Sequence, residues 1–282
     1  MLGKRLTKVI LPKAVRTLKA LKVKPAFSYL EAHLVDQCNL NCKGCGHFAP
    51  VADIWFADPN GYARDMRQLQ KLVSTIHMIR LLGGEPLLHP KIEHFLFSTR
   101  SYFPKAEIRI ITNGILLNTM PDSFWEACKT YSIEIDFTVY PPLFQKEKFL
   151  VNLSIGKGVK IHNSRASSFF AWSNLKGNTD PNLAFKKCRS RDEYNNLREG
   201  KIYCCWVSSN VHSFNKRYGT HIPITGFVDI YASDLTGWIL KDMLEIGSST
   251  CRYCAAGWDC PPSFPWSTSK MQMSEWDAST YM

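Results

Sequence analysis

Residues 34–50 read LVDQCNLNCKGCGHFAP and set Cys38, Cys42 and Cys45 in a C-x3-C-x2-C spacing. Three thiolates this close can hold three irons of a [4Fe-4S] cube and leave the fourth iron without a protein ligand. An open iron can chelate a small molecule through amino and carboxylate groups, whereas a fourth cysteine would close the site for electron transfer alone. Zinc is the competing reading of the triplet, but zinc recruits four ligands, usually in paired short spacings. Two further groups follow, Cys188 with Cys204 and Cys205, then Cys251 with Cys254 and Cys260, while Cys128 stands alone. Ten cysteines in a chain read as cytosolic argue for metal ligation before disulfides.

The elements that must position these thiols follow from periodicity. Short β-rich segments alternate with helical ones through the first 165 residues, the pattern of repeated βα units around a parallel sheet. Strands are expected near 28–36, 76–82, 106–112, 132–139 and 158–163. Crossover helices carry the stripes Met66/Leu69/Val73, Ile92/Phe95/Leu96 and Phe124/Trp125/Cys128. In the fourth strand Ile133, Ile135, Phe137 and Val139 alternate with Glu134, Asp136, Thr138 and Tyr140. If the apolar face of a barrel strand meets the helices, Asp136 and Thr138 point inward near the C-terminal rim. The same logic puts Glu31 and His33 inside, with Leu30, Ala32 and Leu34 outside. It also puts Lys160 and His162 inside, with Val159 and Ile161 outside. A polar interior results, serving either a site or a paired structural lattice. Asn, Gly, Asp and Pro cluster at 174–182 like a linker before a cysteine-bearing module.

With 282 residues, 45% of them hydrophobic, the chain can bury one sizeable core and carry a small appendage. No apolar run approaches the roughly 18 residues of a membrane span, and cations interrupt the N-terminus where a signal peptide would be apolar. A cytoplasmic protein is expected. Eight of the 35 cations precede Pro25 and no acid appears before Glu31, so the remainder is close to neutral. Over residues 13–24, Val15, Leu18 and Leu21 share a helical face with Arg16, Lys19 and Lys22 beside them. That segment suits an anionic membrane surface or a phosphate-bearing partner, or is a solvated helix packed on the body. Nucleic acid is not expected, since no aromatic-rich binding motif accompanies the charge.

The triplet and two later segments together resemble the radical S-adenosylmethionine (SAM) superfamily. Residues 82–90, LGGEPLLHP, are similar to its GGE motif after the second strand, and residues 111–117, ITNGILL, to the segment after its third. The resemblance implies an α/β fold built as a partial (β/α)6 TIM-like barrel, with SAM on the triplet's cluster. It implies that Gly83, Gly84 and Glu85 contact the methionine amino group, glycines permitting close backbone approach and a carboxylate complementing an ammonium. Asn113 is the candidate in the third segment, and Asp136 and Thr138 are candidates for the ribose. The family usually has an aromatic residue before the third cysteine, where this chain has Gly44. Adenine stacking then passes to another residue such as Phe48, or the contact is main-chain only.

The C-terminal spacing, Cys188-x11-Gly200-x4-Cys205 and later Cys251-x2-Cys254, resembles the twitch or SPASM auxiliary-cluster domains of some radical SAM enzymes, aminocyclitol dehydrogenases among them. The resemblance implies a second, fully ligated auxiliary [4Fe-4S] cluster on Cys188, Cys205, Cys251 and Cys254, with Cys204 able to replace Cys205. A four-cysteine zinc knuckle is the competitor. Position 264 is Phe where the full SPASM pattern has another cysteine, leaving Cys260 as a spare thiol. The domains expected are a basic helix at 1–27, the partial barrel at 28–173 and the small α+β module at 174–282.

The resemblance implies reductive cleavage of SAM and hydrogen abstraction from an unactivated C–H bond, the electrons coming from a flavodoxin- or ferredoxin-type reductant. Passing the substrate's electron to the auxiliary cluster gives a dehydrogenation. Return of hydrogen from a thiol, Cys260 or Cys204, gives an epimerisation. A small polar substrate, a carbohydrate by similarity to proteins of bacterial surface-polysaccharide synthesis, is expected. The alternatives are a peptide-modifying maturase and a non-catalytic iron-sulfur carrier or scaffold.

Overall fold

The computed structural model describes residues 23–188 and 195–282. The basic segment expected to be helical therefore lies outside the described residues, apart from its last few positions. Trp238 donates its indole N–H to the Val23 carbonyl at 2.7 Å, so the described chain enters beside the C-terminal part.

Four strand-helix units come first: β1 (Ala26–His33), α1 (Pro59–Leu72), β2 (Thr75–Leu82), α2 (Ile92–Tyr102), β3 (Glu107–Thr112), α3 (Asp122–Thr130), β4 (Ile133–Val139), α4 (Glu147–Gly156) and then β5 (Ile161–Arg165). Each strand pairs in parallel with the one before it. Local signals explain the starts and stops. Asp58 accepts hydrogen bonds from the Asn60 and Gly61 amides, and Pro59 occupies the first turn, where its missing N–H costs nothing.

β5 lies a few residues later than expected, and a short strand rather than a helix follows it. That strand, β6 (Ser168–Phe170), pairs with β10 (Ser263–Pro265) near the C-terminus. Between them come α5 (Pro181–Lys187), β7 (Asn196–Arg198), β8 (Lys201–Tyr203), α6 (Trp206–Tyr218), β9 (Phe227–Asp229) and α7 (Gly237–Leu244). The sixth parallel strand, β7, adds on the far side of β1, and the antiparallel β8 and β9 follow it. The main sheet therefore runs β5-β4-β3-β2-β1-β7-β8-β9.

Alternation sorts the strand faces as expected. Leu30, Ala32, Leu34, Ile133, Ile135, Phe137 and Val139 join one apolar core with Met66, Leu69, Phe95, Phe124, Trp125 and Cys128 from the helices. The opposite face carries a charged lattice. Arg80 and Arg109 both reach Oδ2 of Asp136, at 3.3 and 3.2 Å, and Lys160 and His162 both bind Glu134. For Asp136 and His162 the inward direction therefore leads to ion pairs.

One ion pair joins the two halves of the chain. Arg198, at the end of β7, grips both carboxylate oxygens of Asp36 at 2.7 and 2.8 Å and lies 4.1 Å from the Trp55 ring centroid. The two side chains are only 6% and 5% exposed. Asp36 also accepts the Nε2–H of His33 at 2.6 Å. Removing one partner strands a buried charge, so Arg198→Ala should lower stability by about 3–5 kcal/mol in equilibrium urea unfolding. Asp36→Leu combined with Arg198→Met should recover much of that loss.

Burial holds the His33 imidazole neutral, pushed down to about 4 from an ordinary value of 6.5. The unfolded chain binds the extra proton as pH falls between those values, so stability falls with it. Through this group alone the protein should be about 2 kcal/mol less stable at pH 5 than at pH 7. His33→Asn should flatten that part of the pH dependence of the urea midpoint.

Candidate active site

The chain leaving β1 carries the triplet across the C-terminal ends of the parallel strands. Cys38, Cys42 and Cys45 line one cavity of about 340 Å³, together with Gly83, Gly84, Thr112, Asn113 and Thr138 from the ends of β2, β3 and β4. Catalytic groups at the C-terminal rim are the rule for barrels of this kind.

Each thiol has a donor close by. The Leu40 amide and the Asn113 side-chain amide approach Cys38 Sγ at 3.5 Å, and the Trp266 indole N–H approaches Cys42 Sγ at 3.1 Å. Backbone amides of His47, Phe48 and Ala49 approach Cys45. Burial and neighbouring sulfurs push the Cys38 and Cys42 thiols up to about 12, so holding them as thiolates needs a compensating positive centre. Among the described residues the three sulfurs do not converge within 4.8 Å of one another, as ligands of a single ion would. Three separated thiols, N–H groups aimed at sulfur and an open cavity fit an iron-sulfur cube better than a lone zinc ion.

The two glycines are required by backbone contact. A Cβ on Gly84 would sit 2.2 Å from the Gln37 carbonyl oxygen, and one on Gly83 would sit 2.3 Å from that of Val35. These approaches let the Gly84 amide bind the Val35 carbonyl at 2.6 Å and the Glu85 amide bind that of Gln37 at 2.8 Å. The GGE segment is thus stitched to the stem of the cysteine loop. Gly84→Ala cannot be absorbed by a side-chain shift, and purified protein should show SAM affinity reduced at least tenfold in calorimetry, with a lowered melting temperature.

Four of the expected site groups are placed away from the cavity lining. Glu85 is fully buried, and its carboxylate is occupied beneath the cavity by the Thr112 hydroxyl, the Asn113 amide and the Leu87 amide. It braces the end of β3. Asp136 does not reach the cavity because Arg80 and Arg109 hold it within the lattice. Phe48 turns away to pack on Phe214 and Trp276, at centroid distances of 5.3 and 6.2 Å, so it offers no stacking face. Cys260 is exposed and Cys204 is buried in the core, and neither lines the cavity from which a thiol would return hydrogen.

Sequence reasoning missed the cavity's aromatic wall, Tyr140, Phe169, Phe170, Trp172 and Trp206, and also His47. His47 donates its Nδ1–H to the Gly83 carbonyl at 2.6 Å, and burial lowers its basicity. Alternation in the fourth strand had set Tyr140 with the polar face, and nothing local marks the others.

The cysteines of the two later groups, Cys260 apart, come together in a second set. Charge on Cys204, Cys254 and Cys188 raises the Cys205 thiol, charge on Cys251 and Cys188 raises that of Cys204, and charge on Cys188 and Cys251 raises that of Cys254, in each case after burial. Cys205 and Cys254 each accept a backbone amide, from Val207 at 3.3 Å and from Ala256 at 3.4 Å. Cys205 also caps the N-terminus of α6, where the helix dipole favours a thiolate.

Residues 33–142 match the family model described as Radical SAM superfamily. A GTP 3',8-cyclase of Microcystis aeruginosa is 27% identical over 128 residues, which is 42% of this chain and 37% of that protein. A GTP 3',8-cyclase of Clostridium acetobutylicum is 32% identical over 112 residues, 38% of this chain and 34% of that protein. The chain thus spans roughly a third of the length of these curated relatives, 37% and 34%. Among solved structures, BtrN in complex with AdoMet and 2-DOIA shares the fold with a TM-score of 0.54 at 21% identity, covering 82% of this chain and 94% of that one.

Proposed function

We propose, for a chain that carries a radical SAM domain, that it removes hydrogen from a small uncharged polyol or sugar and oxidises a carbinol carbon to a carbonyl. When bound, SAM and the triplet's cluster supply the radical chemistry that breaks an unactivated C–H bond. This chain's residues would hold and orient the reactants. Cys38, Cys42 and Cys45 are assigned to the cluster, the backbone of Gly83 to Glu85 to the methionine ammonium, and Asn113 and Thr138 to the remaining polar contacts of SAM. The aromatic wall would exclude water and stack on the C–H face of a sugar ring.

The cavity lining carries the reading. Among the described residues it includes no Lys, Arg, Asp or Glu, and its one histidine is kept neutral. A triphosphate needs a clamp of cations, so a GTP-like substrate is disfavoured although the curated relatives are GTP 3',8-cyclases. An uncharged substrate suits such walls. Dehydrogenation is favoured over epimerisation because, among the described residues, the thiols lining the cavity are those of the triplet alone. The second cysteine group, taken as Cys188, Cys205, Cys251 and Cys254, is assigned to an auxiliary cluster that would accept the second electron. A flavodoxin- or ferredoxin-type protein is proposed as reductant.

Anaerobically reconstituted protein should contain about eight irons per chain, and about four with zinc would sink the auxiliary cluster. With SAM, dithionite and a panel of sugars and cyclitols, deoxyadenosine and a new carbonyl should appear in equal amounts. Cys42→Ala should lower deoxyadenosine formation more than a hundredfold. Cys254→Ser should roughly halve the iron and abolish the carbonyl product. Consumption of GTP with no change in any sugar would overturn the assignment.

A further inference from the structure

The segment after β10 lies across the triplet loop. Lys43 N–H donates to the Ser267 carbonyl and Ser269 N–H to the Asn41 carbonyl, both at 2.8 Å, and Cys42 forms an antiparallel bridge with Thr268. Trp266 N–H donates to the Ser167 carbonyl at 2.8 Å. These bonds hold residues 266–269 against residues 41–43 and aim the Trp266 indole at Cys42.

The indole N–H is a donor only, and its partner is Cys42 Sγ at 3.1 Å, a sulfur whose residue is 7% exposed. Trp276, further along the chain, sends its indole N–H to the Cys45 carbonyl oxygen at 2.8 Å, to backbone rather than sulfur. Two indoles thus lie against one loop, and of these two it is that of Trp266 that is bonded to the sulfur of a cluster-ligand candidate.

We infer that Trp266 raises the reduction potential of the triplet's cluster through this N–H to sulfur bond. The inference rests on the proposed reading of the triplet. One-electron reduction adds negative charge to the cluster and its thiolates. A donor fixed on one of those thiolates, in a site of low polarity, stabilises the reduced form more than the oxidised one. Trp266 is a positioning residue that acts through Cys42, and it makes the cluster easier to reduce.

The test is an EPR-monitored redox titration of anaerobically reconstituted full-length protein, with the triplet's signal identified by its response to added SAM. In Trp266→Phe the oxidised-to-reduced ratio at a fixed poise should rise about three- to tenfold, equivalent to a midpoint about 30–60 mV lower at 59 mV per tenfold. Trp276→Phe should leave the midpoint in place. An unchanged midpoint in Trp266→Phe at full iron content overturns the inference, as does an equal shift in both variants, which would make segment packing the cause. If Trp266→Phe does not load iron, wild-type protein labelled with indole-15N tryptophan decides. A 15N coupling to the reduced, SAM-responsive cluster is expected in pulsed EPR, and its absence overturns the inference. Wild-type protein with no SAM-responsive signal would overturn the proposed function as well, whereas an unchanged midpoint overturns only the role of Trp266.

Discussion

The stem of the triplet loop is anchored by two charges almost wholly withdrawn from water. Asp36 precedes Cys38 by two residues, and Arg198 ends the strand that extends the sheet past β1. Their bidentate pairing removes both ions from solvent, a cost that only complete satisfaction offsets. The surroundings provide it: His33 donates to the carboxylate, Asn210 Oδ1 accepts from the guanidinium at 2.9 Å, and the Trp55 ring covers the cation. The loop therefore leaves β1 from a rigid post, and the Gly83–Gly84 backbone can lie against it without a gap.

Polarity changes along the barrel interior. Near the N-terminal ends of β3 to β5, Glu107, Arg109, Glu134, Asp136, Lys160 and His162 neutralise one another. Towards the rim, beyond Asp136, the lining turns uncharged and aromatic. These ion pairs tie β2 to β5 together below the cavity, whose own lining carries none of them. Glu85 belongs to this floor, joining the ends of β2 and β3 under the cysteine loop.

Local pattern accounts for much of this. Alternation in β4 sorted Ile135 from Asp136 correctly, and the helical stripes containing Phe95 and Trp125 do face the sheet. The triplet and the glycines were visible because their chemistry depends on short spacing. What was not visible depends on contacts distant in sequence. Asp136 was read as rim-facing because alternation gives a side chain's direction and not its partners, here Arg80 and Arg109. Phe48 was a fair stacking candidate by proximity to Cys45, but residues 214 and 276 claim its ring. Trp266 lies 224 positions from the sulfur it meets, and no local periodicity reports such a pairing.

The placement of β7 beside β1 has a consequence for the chain while it is being made. β1 is synthesised before β7, and the backbone groups along one side of it stay unmatched until Asn195–Leu197 arrive. Asp36 and Arg198 are 162 residues apart, which at typical elongation rates is roughly ten to thirty seconds of synthesis. For that interval the nascent protein exposes an open strand edge able to recruit a neighbouring chain. Slow translation or crowded polysomes would lengthen that exposure and favour strand exchange between neighbouring chains.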